Sequence, residues 1–301
     1  MKANPLFAKQ DQAFWASVRS LSQDVGYTTR GEDRIKAASL VEMRDAFTHL
    51  GLNPLAVADK QGRTTELGYL LLSYFRYQAD VLDNHVSKVL MNAEEAKALF
   101  ELYRKEFQPT CPLPLNKQKG DKKSYAFLTG LVNMMVEKHL QGLQCDYDPR
   151  KLTTITRNGV PLRTLARRVD GAFPNSINPV AIWEVKEYYY TTTFGSRIAD
   201  GVYESLLDGM ELEELRENTN VDVKHYLMVD AYQTWWVQGK AYLCRIVDML
   251  NMGYVDEVLF GREIVGELPR IVHEWKALLR TRSGVWRLGV RSAPFSIPLR
   301  W

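Results

Sequence analysis

Two carboxylates and a lysine near the middle of the chain could form a hydrolytic metal site. Glu184 and Lys186 stand two positions apart in an apolar run, and Asp170 precedes them after a basic segment. Side chains alternate along a β-strand, so Glu184 and Lys186 would share one face while Trp183 and Val185 point to the other. If Asp170 ends a neighbouring strand, its carboxylate and that of Glu184 can converge on one divalent cation. Lys186 would then orient a water molecule or stabilise developing negative charge, as a phosphodiesterase requires.

The acid-x-Lys pattern alone does not identify this site. It recurs at Glu95–Lys97, Asp121–Lys123, Asp222–Lys224 and Glu274–Lys276. Glu95 and Glu274 lie in segments of helical propensity, and Asp121 lies in a lysine-rich loop. Asp222 begins a strand, but no acidic partner strand leads into it. Only Glu184 follows an aspartate on a strand-like segment, so the surrounding elements decide between the matches.

The composition favours a soluble globular protein. The chain has 301 residues, of which 46% are hydrophobic and 25% charged, enough for one large domain or two smaller ones. No apolar run approaches the ~20 residues that cross a bilayer, and the N-terminus lacks a secretory signal. Cys111, Cys145 and Cys244 are isolated, which argues against a zinc site or a disulfide framework. We therefore expect a cytoplasmic protein without a membrane partner.

Basic residues cluster around the candidate site, although the net charge is only +3. The three clusters are Lys117, Lys119, Lys122 and Lys123; Arg157, Arg163, Arg167 and Arg168; and Lys276, Arg280, Arg282, Arg287, Arg291 and Arg300. A single charge run is usually a solvated face. Three such runs flanking a candidate phosphodiester site favour a polyanionic partner such as nucleic acid.

The chain is predicted to have an N-terminal helical region over 1–110. Ser39 and Glu42 have the spacing of a capping box, and further helices are predicted from Thr65 to Val81 and over 92–107. A proline-rich and then basic loop, 111–123, marks a boundary. Residues 124–301 would form the domain that carries the site, with a basic C-terminal extension. The helical region is a candidate for DNA recognition or for dimerisation.

The pattern after this boundary predicts an α/β (α+β) fold. A helix over 124–143 precedes strands over 151–157, 162–173 and 180–188, with a hairpin turn at Asn158-Gly159. A helix over 196–218 has apolar residues four apart, and a strand at 225–229 follows. Another helix, strand and helix complete the series. We expect a mixed sheet flanked by helices.

This order of elements, with Asp170 on the second strand and Glu184-Val185-Lys186 on the third, resembles the PD-(D/E)XK nuclease superfamily. The restriction-endonuclease-like core of that superfamily is helix–three strands–helix–strand. The resemblance covers about residues 120–260, with Val169 in place of the usual proline. It implies that Asp170 and Glu184 bind Mg²⁺, with Mn²⁺ as a substitute and with help from the main-chain carbonyl of Val185. It implies that Lys186 positions the attacking water.

Two parts of this assignment have a plain structural alternative. Asp170 and Glu184 could instead form a salt-bridged strand pair with Arg168 or Lys186. Glu137 lies in the helix that carries an extra acidic ligand in many members of the superfamily, but it could equally be a surface residue paired with a neighbouring base.

Contacts to nucleic acid are predicted for seven residues: Lys122, Lys123, Arg167, Arg168, Tyr188, Ser196 and Arg197. Tyr188 could instead pack within the sheet. Ser196 and Arg197 open a helix, where a hydroxyl and an arginine can anchor a phosphate, or Ser196 can act only as the N-cap.

The predicted function is that of a Mg²⁺-dependent endonuclease of double-stranded DNA, most like a type II restriction enzyme. A homodimer would match a symmetric cleavage site, and a cognate DNA methyltransferase would protect the host. One alternative is a DNA repair or structure-specific nuclease. Another is a catalytically idle nuclease fold that only binds nucleic acid or protein.

Overall fold

The computed structural model describes residues 1–29, 32–116, 120, 123–190 and 195–288. The helices are α1 (Gln12–Val25), α2 (Leu40–His49), α3 (Glu66–Val81), α4 (Ser87–Val89), α5 (Ala93–Phe107), α6 (Phe127–Leu140), α7 (Ser196–Thr219), α8 (Lys240–Asn251) and α9 (Glu263–Leu288). The strands are β1 (Thr154–Arg157), β2 (Val160–Thr164), β3 (Gly171–Phe173), β4 (Ala181–Glu187), β5 (Lys224–Asp230) and β6 (Glu257–Phe260). In these ranges no helix is both long enough and apolar enough to cross a bilayer.

The central sheet is mixed, as the sequence predicts, and its strands lie in the order β3-β4-β5-β6. β3 runs antiparallel to β4, with Gly171 opposite Trp183, and β4, β5 and β6 are parallel. The parallel strands are buried along nearly their whole length because helices cover both faces of the sheet.

Alternate residues along the strands pack into two hydrophobic cores, one on each face of the sheet. Trp183, Met228 and Leu259 pack in the core that contains α5, α6 and α9. Leu227 and Val258 point to the other face, into the core that contains α8 and the start of α7. The molecule is therefore layered helix–sheet–helix around β4, the strand that carries the candidate site.

The predicted second strand, 162–173, is wrong as one element. β2 ends at Thr164 and pairs with β1 in a separate two-stranded sheet, whose turn at Asn158-Gly159 forms as predicted with positive φ at both residues. Ala166 donates its N–H to the carboxylate of Glu211 on α7 (3.0 Å), so the chain leaves the ladder here. Strand pairing resumes only at β3, which also bridges to Asp146 on its outer edge.

The N-terminal helices form as predicted and pack on the flank of the sheet. Ser39 and Glu42 make the expected capping box at the start of α2. On α3, the Tyr74 hydroxyl and the Gln78 amide both donate to the buried carboxylate of Asp248 on α8. This polar contact, set in apolar surroundings, joins the helical region to the rest of the chain.

The buried face of α7 differs from the predicted apolar stripe. Ile198 and Val202 are buried, but Met210, in the same four-residue series, is 51% exposed. Four residues advance a helix about 40° beyond a full turn, so such a series rotates away from the core. Asp208 and Leu212 occupy the buried face instead. A carboxylate on α7 is therefore directed at the sheet.

Candidate active site

β4 positions two of the predicted catalytic residues as the alternation rule requires. Glu184 and Lys186 face α7, while Trp183 points to the opposite face and stacks on Trp275 of α9 with ring centroids 5.2 Å apart. Asp170 directly precedes β3 and donates its N–H to the Trp183 carbonyl (3.2 Å). Pairing of the short strand β3 with β4 thus brings Asp170 beside Glu184.

The Asp170 carboxylate is held at the exposed edge of β4. Val185 donates its N–H to Oδ2 of Asp170 (2.8 Å), and the Asp170 N–H donates to Oε1 of Glu184 (3.2 Å). β3 pairs with β4 only as far as Trp183, so the Val185 N–H has no ladder partner on this side. Within one residue of a strand the N–H and the carbonyl point to the same side. The Val185 carbonyl therefore faces the edge where Asp170 lies.

Lys186 is nearly buried and lies between two carboxylates. Its Nζ donates to Oε2 of Glu184 (2.8 Å) and to Oε2 of Glu204 on α7 (3.0 Å). Glu184 is fully buried, and a buried charge of this kind is stable only when it is paired.

Arg167 turns inward and joins the same network. Its Nη1 lies 2.6 Å from Oδ2 of Asp208 and 3.0 Å from Oε1 of Glu184. Its Nη2 donates to Oε2 of Glu184 (3.0 Å) and to Glu204 (3.2 Å). The structural alternative named Arg168 or Lys186 as the ion-pair partner: Lys186 does pair with Glu184, whereas Arg168 is exposed and its neighbour Arg167 makes the arginine contact.

The charges of the site are strongly coupled. Burial and then the charge of Glu184 raise the pKa of Asp170 to about 7, and the same two causes raise the pKa of Asp208 to about 7. Burial also opposes ionisation of Glu184, but Lys186 and Arg167 outweigh it and hold the pKa of Glu184 below its usual value. Groups with such perturbed pKa values cluster at functional sites.

Asp208 and Glu204 are site residues that the sequence reasoning missed. With Asp200 they stand four apart on α7, a spacing that keeps neighbours on one side of a helix. This acidic series was the available signal. Asp208 is fully buried, and its Oδ1 has no hydrogen-bond partner among the described residues. Burying a carboxylate oxygen without a hydrogen-bond partner costs folding free energy, so the stability of the fold does not account for this position.

The donor atoms fit a hard divalent cation in type. Asp170, Glu184 and the Val185 carbonyl supply oxygen ligands of the kind that Mg²⁺ prefers, and a cation would relieve the repulsion that raises the pKa of Asp170. Each oxygen of Glu184 already has two partners, however, and a carboxylate offers about four lone-pair positions. Metal binding at Glu184 therefore requires Arg167 to leave it. In the part of the chain that the structure describes, no group of three acidic, histidine or cysteine side chains has metal-binding geometry.

Comparison with protein families assigns most of the chain. A model described as a domain of unknown function (DUF7687) matches residues 91–275, more than half of the 301 residues. The chain belongs to this family. A second domain of unknown function (DUF7690) matches residues 1–85. No curated protein matches the chain, and no solved structure does. Every charged group of the site lies within the DUF7687 match.

Within the DUF7687 region, Glu137 is placed away from the other predicted metal ligands. Its carboxylate accepts the Thr110 N–H (3.0 Å) and the Thr110 hydroxyl, and it lines a separate cavity of about 240 Å³. The end of α6 that reaches β4 is at Thr129, which bonds to Glu187. Eight residues of helix separate Thr129 from Glu137, about 12 Å along the axis. The structure therefore does not bring Glu137 to Asp170.

Of the predicted nucleic-acid contacts in the DUF7687 region, Arg167, Arg168 and Tyr188 line one cleft. Lys122 lies outside the described residues, and Lys123 is exposed. Ser196 and Arg197 begin α7 as predicted, but their side chains lie outside the described part. Tyr188 is half-buried, with its ring 5.7 Å from that of the buried Trp235.

The site opens into a cleft of about 740 Å³ between the edge of the sheet and α7. Asp170, Val185 and Lys186 line it, together with Arg168 and Tyr188. A ligand in this cleft can therefore approach both the carboxylate of Asp170 and the ammonium group of Lys186.

Proposed function

We propose that the protein is a metal-dependent nuclease that hydrolyses phosphodiester bonds of DNA. The observation that carries the proposal is the hydrogen bond from the Val185 N–H to Asp170, which holds that carboxylate beside the Glu184–Lys186 pair. Asp170 directly precedes β3, Glu184 and Lys186 lie on the paired strand β4, and Asp170 and Lys186 border one cleft, with Glu184 buried behind them. Their types and arrangement support metal-assisted hydrolysis of a phosphate ester.

The residues would divide the work as follows. Asp170, Glu184 and the Val185 carbonyl would hold Mg²⁺, or Mn²⁺ as a substitute. The bound cation would stabilise charge on the phosphate and lower the pKa of a water molecule. Burial alone would lower the pKa of Lys186, but the charges of Glu184 and Asp170 and the hydrogen bond to Glu184 together outweigh it and raise that pKa, so Lys186 stays an ammonium group at neutral pH. It would therefore act as a donor to a water molecule or a phosphate oxygen, not as a general base.

A finer proposal is a sequence-specific endonuclease of double-stranded DNA, acting as a homodimer alongside a cognate methyltransferase. It rests on the resemblance to restriction enzymes and on the presence of a helical region large enough to recognise DNA. One observation favours the idle alternative: Arg167 contacts both oxygens of Glu184. Binding without hydrolysis is the outcome that the idle protein would give.

Digestion of a supercoiled plasmid tests the proposal. We expect cleavage with Mg²⁺ or Mn²⁺, none with a chelator, and none in Lys186→Ala. Lys224→Ala is the matched control, because Lys224 belongs to the other strand-borne acid-x-Lys pattern and pairs with Asp222 (2.8 Å) and Asp256 (2.9 Å), outside the cleft. Lys224→Ala should cleave like the original protein.

The products separate the finer proposals. Discrete fragments support the sequence-specific enzyme, and nicking that depends on junctions or flaps supports the repair enzyme. Full activity of Lys186→Ala would refute the site. Circular dichroism checks folding, and Asp170→Asn supplies a second variant that keeps the shape of the side chain.

A further inference from the structure

The size of the cleft limits what can enter it. Its volume of about 740 Å³ falls in the range of about 300–1,000 Å³ found for small-molecule sites. That is room for about one to two nucleotides of a single strand. A paired double helix, whose major groove alone is about 12 Å wide, can only lie across the mouth. The carboxylate of Asp170 would then meet a phosphate only if a strand leaves the duplex.

The walls of the cleft are rich in aromatic side chains. Five half-buried tyrosines line it: Tyr125, Tyr147, Tyr188, Tyr189 and Tyr190. Three of them are fixed by contacts outside the cleft. The ring of Tyr125 lies 5.1 Å from that of Phe100, the ring of Tyr188 lies near Trp235, and the Tyr189 hydroxyl donates to Asp230. Tyr147 and Tyr190, which line the cleft beside them, are partly buried against the hydrophobic core. Together the rings form an apolar surface on which bases can stack.

The charge of the cleft does not suit a duplex-binding surface. Among the residues that the structure describes, the cations that line it are Arg150, Arg167, Arg168 and Lys186. The carboxylates that line it are Asp148, Asp170, Glu187, Asp200 and Glu204, one more than the cations. Arg150 pairs with Asp148 (2.7 Å), and Arg167 and Lys186 pair with Glu184. A protein that makes about 6–10 phosphate contacts with a duplex needs more basic side chains than the described lining of this cleft contains.

From the volume, the tyrosines and the balanced charge, we infer that the cleft binds an unpaired strand of nucleic acid. Its bases stack on the tyrosine rings that line the cleft, and we assign Tyr147 and Tyr190 as the rings that contact them. The backbone of the strand passes Asp170 and Lys186. The substrate is then a single strand, a flap or a locally opened duplex, which favours the repair or structure-specific nuclease over the restriction enzyme. The inference rests on the proposed function for the identity of the strand, and stacking supplies most of the affinity at about 1–3 kcal/mol per base.

Binding of a labelled short oligothymidylate in Ca²⁺ buffer, followed by fluorescence anisotropy, tests the inference without requiring cleavage. We expect this strand to bind at least about tenfold more tightly than a blunt duplex of equal length. Tyr147→Ala and Tyr190→Ala should each weaken binding by about 5-fold to 160-fold, the range that corresponds to the loss of one stacked base. Tyr147→Phe and Tyr190→Phe keep the ring and should bind like the original protein. Tyr69→Ala, at a tyrosine on α3 that is 67% exposed and outside the cleft, is the control.

Salt dependence gives a second readout. For single strands, each phosphate contact contributes about −0.7 to the slope of log K against log salt. With about two phosphate contacts, the slope should therefore be near −1.4. A duplex bound as tightly as the strand, a steep slope, or alanine variants that bind like the original would each overturn the inference.

Failure of the inference and failure of the proposed function are separable. Tyrosine-dependent binding of the strand without cleavage in Mg²⁺ overturns the nuclease and keeps the cleft assignment. Lys186-dependent cleavage of a duplex, unaffected by Tyr147→Ala and Tyr190→Ala, keeps the nuclease and overturns the cleft assignment.

Discussion

Replacing Arg167 by methionine should destabilise the fold through two buried carboxylates. The guanidinium group contacts Glu184 and Asp208, both fully buried, and the arginine side chain is itself only 22% exposed. Methionine keeps much of the apolar stem but removes the charge. The two carboxylates then lose their shared cation while they remain shielded from water.

The expected loss of unfolding free energy is about 3 kcal/mol at pH 8. Removing one partner of a buried ion pair costs about 3–5 kcal/mol. The lower end applies here because Lys186 still pairs with Glu184 at 2.8 Å. Asp208 has a pKa of about 7, which Arg167 now holds down. In the variant that pKa rises, so Asp208 takes up a proton more readily and the loss should be smaller at pH 6 than at pH 8.

Urea unfolding followed by tryptophan fluorescence measures both values. Arg168→Met is the matched control, since Arg168 is exposed, and its effect should stay within about 0.5 kcal/mol. Added Ca²⁺ should stabilise Arg167→Met more than the original protein, because the oxygens of Glu184 lose a competing cation. Equal unfolding midpoints for the two arginine variants, or an equal loss at both pH values, would refute the reasoning.

Three further predictions concern protonation and packing. The apparent affinity for Mg²⁺, measured by titration calorimetry, should rise as the pH increases through about 7, where Asp170 loses its proton, and this dependence should vanish in Asp170→Asn. Burial raises the pKa of Asp248 from 3.8 to about 7. Between these pH values the folded state keeps a proton that the unfolded state has lost, so the free energy of unfolding falls as the pH rises. The fall totals about 4 kcal/mol at about 1.4 kcal/mol per pH unit, of which about 2.6 kcal/mol lies between pH 5 and pH 8, and Asp248→Asn should remove most of that part in urea titrations at these two pH values. Gly171→Ala should lower stability by about 1–3 kcal/mol in the same assay, because the added methyl group would overlap the ring of Trp183; an unchanged midpoint would contradict that packing.

The local elements and the alternation along β4 could be read from the sequence. The capping box at Ser39, the Asn158-Gly159 turn and the shared face of Glu184 and Lys186 are all found in the structure. Each depends on geometry within a few residues, since turn torsions, helix caps and the two-residue period of a strand are properties of the backbone itself. Asp170 was expected beside Glu184 on the condition that it lies at the end of a neighbouring strand. Pairing of β3 with β4 meets that condition.

The tertiary structure decided which charged groups complete the site. Nothing in the sequence near Arg167 distinguishes it from Arg168; the inward arginine is the one that meets Asp208 and Glu204 on α7, about forty positions later. Tertiary contacts likewise place Glu137 apart from the site, because its carboxylate accepts the Thr110 N–H while Thr129, about two turns earlier on α6, contacts Glu187. From the sequence alone one can therefore tell which charged groups share one face of β4. Long-range packing selected its partners, because a buried charge is tolerated only where another element brings an opposite charge to it.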